Sequence, residues 1–237
     1  MIDYEILRLI WWLFIGVLLV GFAIMDGQDM GVGSLLPFLG KNDTDRRCMI
    51  NSVAPHWDGN QVWLITVGGA IFAAWPLVYA AAFSGFYWAM LIVLLALILR
   101  PVGFDFRGKM AGTRWRNTWD WALFVGSAVP PIIFGVAFGN LLQGVPFHFD
   151  ESLRPFYTGS FFGLLNPFGL LCGVVSLLMI VFHGANYLVL RTDGDLQRRA
   201  MSISTISGIA TAALFILGGV WAYFGIDGMV VSAGLDP

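Results

Sequence analysis

Apolar runs long enough to cross a bilayer recur six times along this chain, with short polar connections between them. A crossing helix needs about 20 apolar residues, because ~30 Å of hydrocarbon is covered at ~1.5 Å per residue. The first run covers residues 9 to about 25, and an extension through a glycine-rich stretch to Leu36 stays open. The second ends at Trp75 and contains the stretch 62–75. Pro76 sets off the third, 77–99, so closely that the two read as a tight hairpin flanked by Trp75 and Tyr79. The others cover 121–142, about 163–190 and about 203–224. In lipid the backbone must satisfy its own hydrogen bonds. The pattern therefore predicts an all-α, polytopic transmembrane helix bundle of about six spans, a single domain over residues 1–237. No period of 20–50 residues marks a repeat array.

Composition agrees. Hydrophobic residues make up 58% of the chain and charged residues 12%, against about half and a quarter in soluble domains. The net charge of -2 and the lack of a basic patch argue against a nucleic-acid partner. Cys48 and Cys172 lie far apart and read as inert small side chains, too few for a zinc or iron–sulfur site. The N-terminus Met1-Ile2-Asp3-Tyr4-Glu5 lacks a basic segment and a small-residue cleavage site, so the first run is expected to stay in the mature protein.

Charge placement then orients the bundle. Lys41, Arg46 and Arg47 follow the first run. Arg100, Arg107, Lys109, Arg114 and Arg116 follow the third, and Arg191, Arg198 and Arg199 the fifth. These are 11 of the 13 basic residues; only Arg8 and Arg154 fall on the other side. By the positive-inside rule the rich side is cytoplasmic and both chain ends lie outside. Glycines at 27, 31 and 33, and at 218 and 219, suggest close helix packing.

Polar groups at membrane depth mark function by default. Asp26 and Asp29 stand at i and i+3 and share a face if the first helix continues; the alternative is that the span ends there and both are solvated. His56-Trp57-Asp58-Gly59-Asn60-Gln61-Val62-Trp63 puts several strongly polar side chains directly ahead of an apolar run. Pro55 either starts a helix, leaving Asp58 in a first turn favoured by the dipole, or kinks a longer helix that begins near Asp43 and buries Asp58. A polar network that only ties helices together would use the same residues. Arg100-Pro101-Val102-Gly103-Phe104-Asp105-Phe106-Arg107 ends the third run, and an ordinary turn with an Arg–Asp pair is the plain alternative. The topology gathers Asp26, Asp29, His56, Asp58 and Asp105 toward one side. Buried carboxylates exchange protons near neutral pH, so the cluster reads as a proton uptake path, with Trp57, Asn60, Gln61 and Arg100 packing it. Of the three histidines, His148 lies in a loop; His56 and His183 could in principle face each other, but a haem held in this chain is disfavoured.

The strings at 26–33 (DGQDMGVG), 54–63 (APHWDGNQVW), 72–87 (FAAWPLVYAAAFSGFY), 100–107 (RPVGFDFR), 135–144 (GVAFGNLLQG) and 164–174 (LLNPFGLLCGV) resemble subunit II of the cytochrome bd ubiquinol oxidases, in order along essentially the whole chain. The resemblance implies a haem-free subunit in the bacterial cytoplasmic (inner) membrane, built against a subunit I that carries haems b and d. That complex oxidises quinol and reduces oxygen to water. It also implies a structural quinone, membrane lipids and a small accessory single-span subunit as neighbours. Asp29, Asp58 and Asp105 would be proton-route residues and Trp63 an oxygen-route residue. Two departures stand out. The family's subunit is usually longer, so the chain is expected to be its N-terminal part, and Gln28 replaces an expected bulky apolar residue, which predicts a wetter Asp29. A proton- or cation-coupled transporter with a broken first span is the competing reading, and a diheme membrane cytochrome the third.

Overall fold

A computed structural model describes residues 3–226. They form eight α-helices: α1 (Tyr4–Leu39), α2 (Asp43–Val53), α3 (Trp57–Ala74), α4 (Pro76–Gly85), α5 (Tyr87–Phe106), α6 (Thr113–Gln143), α7 (Pro167–Arg191) and α8 (Gly194–Gly225). A short antiparallel hairpin, β1 (Phe147–Phe149) with β2 (Pro155–Tyr157), and a 3-10 turn at Phe162–Leu165 lie between α6 and α7. The all-α bundle is as expected.

Five of these helices, α1, α5, α6, α7 and α8, are long and apolar enough to cross a membrane. α3 has 18 residues, but its first turns hold Asp58, Asn60 and Gln61. The third apolar run departs from its expectation as one helix over 77–99. It divides at Phe86, which leaves helical geometry (φ -102°, ψ 23°) and is buried, with Gly85 against the Tyr157 ring. The break at Trp75 has a local cause: proline disfavours the helical region for the residue before it, and Trp75 sits at φ -138°, ψ 73°. α6 and α8 begin well before their apolar stretches, because their polar first turns continue the helix past the apolar part.

Side-chain contacts set direction. Asn60 meets Asp29, Trp63 covers Gly21 and Trp75 packs 5.8 Å from Trp12, so α3 runs antiparallel to α1. α6 is antiparallel to α1 as well, through Phe22–Phe134 at one end and Phe38–Phe124 at the other. α7 runs parallel to α1, since Gly27 faces Ile180 and Gly31 faces Gly184. At Gly31 the two backbones touch, and a Cβ there would collide with the Ile180 carbonyl and Gly184; only glycine permits that approach. Gly219, by contrast, has open space where a Cβ would sit and packs nothing.

The main core lies toward the end of the bundle that carries the basic loops. Val32, Leu35, Leu36, Met49, Leu123 and Leu188 are almost wholly enclosed there. The first half of α1, by contrast, exposes Ile6, Trp12, Val17 and Val20. Caps mark the short connections: Asn42 accepts from the Asp45 amide at 2.8 Å and Asn166 from the Gly169 amide at 2.7 Å. Each satisfies a donor that a helix start would otherwise leave unpaired.

Candidate functional site

α1 does not stop at Met25. It continues unbroken to Leu39 and carries Asp26 and Asp29 into the bundle, where both are essentially inaccessible to solvent. This removes the broken first span, one of the two supports of the transporter reading; the other, the buried acids, is what the structure shows. Gln28 does not make Asp29 wetter, because Asp29 turns inward against α3 while Gln28 is only half-buried.

Asp26 is held by Arg100 of α5 in a two-pronged pair at 2.6 and 3.0 Å, with both side chains fully buried. The segment around Arg100 is therefore helix and not turn, and its arginine pairs with α1 instead of Asp105. Charges this deep persist only when paired and hydrogen-bonded. The planar guanidinium suits a carboxylate in that geometry.

Asp29 lies one turn farther along. Its Oδ2 accepts from Asn60 Nδ2 at 2.8 Å. The same Nδ2 is 3.0 Å from His56 Nδ1, and His56 Nε2 is 2.9 Å from the Tyr187 hydroxyl. Tyr187 donates to the Ser52 carbonyl at 2.7 Å, and Arg191 lies 5.5 Å over its ring. Asp29 Oδ1 has no hydrogen-bond partner and stands 3.5 Å from His56 Nδ1. A continuous polar line thus runs from half-exposed His56 to a buried carboxylate and, one turn on, to a buried ion pair.

Not all the expected residues join it. Asp58 is exposed in the first turn of α3, because α2 and α3 are separate helices; of the two arrangements around Pro55, the helix start is the one found. Asp105 is exposed near the end of α5. Neither joins the Asp29 line. Trp57 stacks on Phe104 at 4.9 Å, Gln61 is half-buried, and Trp63 lies over Gly21. His183 is bonded to the Ile24 carbonyl at 2.8 Å and does not face His56. Among the described residues no three His, Cys, Asp or Glu side chains gather as a metal site.

Sequence reasoning missed Tyr187, Asp120 and α2's role. Buried Asp120 of α6 accepts from Arg46 at 2.8 Å and Arg107 at 2.5 Å. Arg107 also reaches Asp43, which Arg116 pairs at 2.7 Å, and Arg199 holds Asp45 at 2.7 Å. This clasp fastens α2 beneath α5, α6 and α8. Burial works to raise the Asp43 carboxyl, but Arg107, Arg116 and Arg47 outweigh it and hold it low; the Arg199 hydrogen bond does the same for Asp45. The available signal for Asp120 was a carboxylate between Trp119 and Trp121, at the polar start of an apolar run.

The family model for cytochrome bd terminal oxidase subunit II matches residues 7–235. The chain is 65% identical over 236 residues to cytochrome bd-I ubiquinol oxidase subunit 2 of Escherichia coli (strain K12), covering 100% of this chain and 62% of that protein. It is 61% identical over 236 residues to the probable cytochrome oxidase subunit 2 of Haemophilus influenzae, with the same coverage. It is 41% identical over 215 residues to cytochrome bd ubiquinol oxidase subunit 2 of Bacillus subtilis, covering 90% of this chain and 62% of that one. The chain thus spans about three fifths of the length of these curated relatives.

Proposed function

The chain belongs to the cytochrome bd terminal oxidase subunit II family, and on that premise we propose that it is the haem-free subunit of a quinol:oxygen oxidoreductase in a bacterial cytoplasmic membrane. The catalytic haems b and d belong to subunit I, against which this single helical domain assembles. A structural quinone, lipids and a small single-span subunit are the further neighbours. The basic end faces the cytoplasm, α3 is the sixth crossing, and both ends of the bundle's chain lie outside. The antiparallel course of α3 along α1 supports that count.

The subunit's own chemistry is proton access. The observation that carries this reading is Asp29, a buried carboxylate with one bare oxygen, reached from the basic end through His56 and Asn60. Asp58 and Asp105, exposed at the same end, collect protons, Asp26 with Arg100 sets the field behind Asp29, and Trp63 borders the oxygen route. Copurification of the chain with a larger subunit showing b- and d-type bands in a reduced-minus-oxidised spectrum tests the assembly. Asp29→Asn in that complex should cut turnover by about 10²-fold, the low end for loss of a proton-transfer group, with haem content unchanged. Asp58→Asn should slow it less. Full turnover in Asp29→Asn refutes the route.

A further inference from the structure

With the Asn60 amide oriented as the structure places it, Nδ2 toward Asp29 and His56, the hydrogen bonds around His56 leave one consistent placement of its protons. Tyr187 has a single hydroxyl hydrogen, and the Ser52 carbonyl 2.7 Å away can only accept it. The 2.9 Å contact to His56 Nε2 is therefore donated by the ring. On the inner side, Asn60 Nδ2 has two hydrogens and no acceptor capacity. It gives one to Asp29 Oδ2 and the other to His56 Nδ1, which must accept. The ring is thus neutral, protonated on Nε2, with the Nδ1 lone pair turned toward the buried carboxylates. One acceptor is left over, Asp29 Oδ1, which is enclosed, unpartnered and 3.5 Å from Nδ1.

Resting on the proton-route reading above, we propose that His56 is the group that hands protons between water at the basic end and Asp29, across the gap from Nδ1 to Oδ1. Tyr187 and Asn60 are its positioning residues. Tyr187 is not itself a relay, because its hydrogen points at a backbone carbonyl that has nowhere to pass it. Exchange with water runs through the imidazole, whose side chain is 32% exposed.

The step balances without any redox change. The ring, swung outward, takes a proton on Nδ1 from hydronium, which leaves as water, and becomes imidazolium. Swung back, its Nδ1–H meets Asn60 as donor against donor, and the bare Oδ1 is the acceptor in reach. The N–H bond breaks as the O–H bond forms on Asp29, and the ring returns to the Nε2–H form that Tyr187 selects. The groups facing His56 are Asp29 of α1, with the Asp26–Arg100 pair behind it, and Tyr187 of α7 under Arg191. α2 contributes the Ser52 carbonyl to Tyr187, and Asp58 on the ring's own helix is exposed.

The test uses the full-length subunit assembled in its oxidase, with haem absorption confirming assembly of each variant. His56→Gly should lose about 10²-fold in oxygen consumption, as for removal of a general acid–base group. Added imidazole should restore it. Pyrazole, which has the same shape but is not basic at neutral pH, should not. Tyr187→Phe should shift the acid limb of the pH profile by about one unit and cost about tenfold in turnover at neutral pH, a unit of pKa being a factor of ten. Equal rescue by pyrazole, no rescue by imidazole, or an unmoved profile in Tyr187→Phe overturns the proposal. If His56→Gly does not assemble, His56→Gln replaces it, and retained turnover there overturns the proposal as well. Loss of turnover in Asp29→Asn with none in His56→Gln defeats this inference alone; full turnover in Asp29→Asn defeats the proton route with it.

Discussion

At the basic end of the bundle Asp26 and Arg100 are both fully buried and meet at 2.6 Å. At the opposite end the comparable tie is neutral: Asn166 donates to Asn140 at 2.9 Å, and Asn140 donates to the Val136 and Leu164 carbonyls at 2.8 Å each. Both join helices through buried polar groups, yet one set carries charge and the other does not. Neutral amides can fasten helices in a low-dielectric interior at far lower desolvation cost than ions. Ions therefore exceed what fastening requires. Among the described residues the buried ion pairs lie toward one end, beside a carboxylate with a bare oxygen, as the proton route proposed above requires.

The comparison can be broken most directly at its charged end. Arg100→Leu strands the Asp26 carboxylate and should cost about 3–5 kcal/mol, the usual penalty for removing one partner of a buried pair. Thermal denaturation of the assembled complex reads it. The double variant Arg100→Leu with Asp26→Leu should be less damaging than the single one; an equal or larger loss would mean that packing, not charge, sets the penalty.

At the α1–α7 seam, two residues past Asp29 on α1, Gly31 meets Gly184 in a contact where charge plays no part. Gly31→Ala forces the backbones apart and should cost about 1–3 kcal/mol, read in the same melt. At the neutral end, Asn140→Ala leaves the Leu164 carbonyl unpaired and should cost about 1–2 kcal/mol, the range for a stranded buried polar group. It should leave the pH dependence of turnover unchanged, unlike the changes around Asp29. A shifted profile there would erase the contrast.

The smallest effect belongs to the clasp on α2. Asp45→Asn weakens a partly exposed pair and should cost about 0.2–1 kcal/mol. The sign with pH follows from the lowered carboxyl of Asp45, whose ordinary value is 3.8. Its contribution is complete above that value and is lost as pH falls through the lower native one. Hydrogen exchange in α2 should therefore accelerate only under strong acid, and Asp45→Asn should reduce that acceleration to the part that Asp43 contributes.

Much of this molecule was readable from one dimension because hydrophobic runs and loop charges act locally. Six apolar stretches, the basic loops and the motif strings needed no knowledge of which helix touches which. Asp26 and Asp29 could be placed on one face because their spacing alone puts them there once the helix continues. The break at Phe86 was not readable, because the apolar run continues through it without a polar or proline signal. Nor were the partners of Arg100, Asp120 and His56. Asp105 looked like the partner of Arg100 by nearness in sequence, but the pair it forms spans 74 positions.

Sequence by itself determined that the chain is a helical membrane bundle with its basic loops on one side, because the bilayer tests each segment separately for apolar length and backbone satisfaction. It also determined the family, through strings long enough to be specific. Only the tertiary structure decided which polar residues form the site. Burial and hydrogen bonding are properties of pairs, and four separate helices, α1, α3, α5 and α7, must meet before Asp29 has one oxygen held by Asn60 and the other bare beside His56.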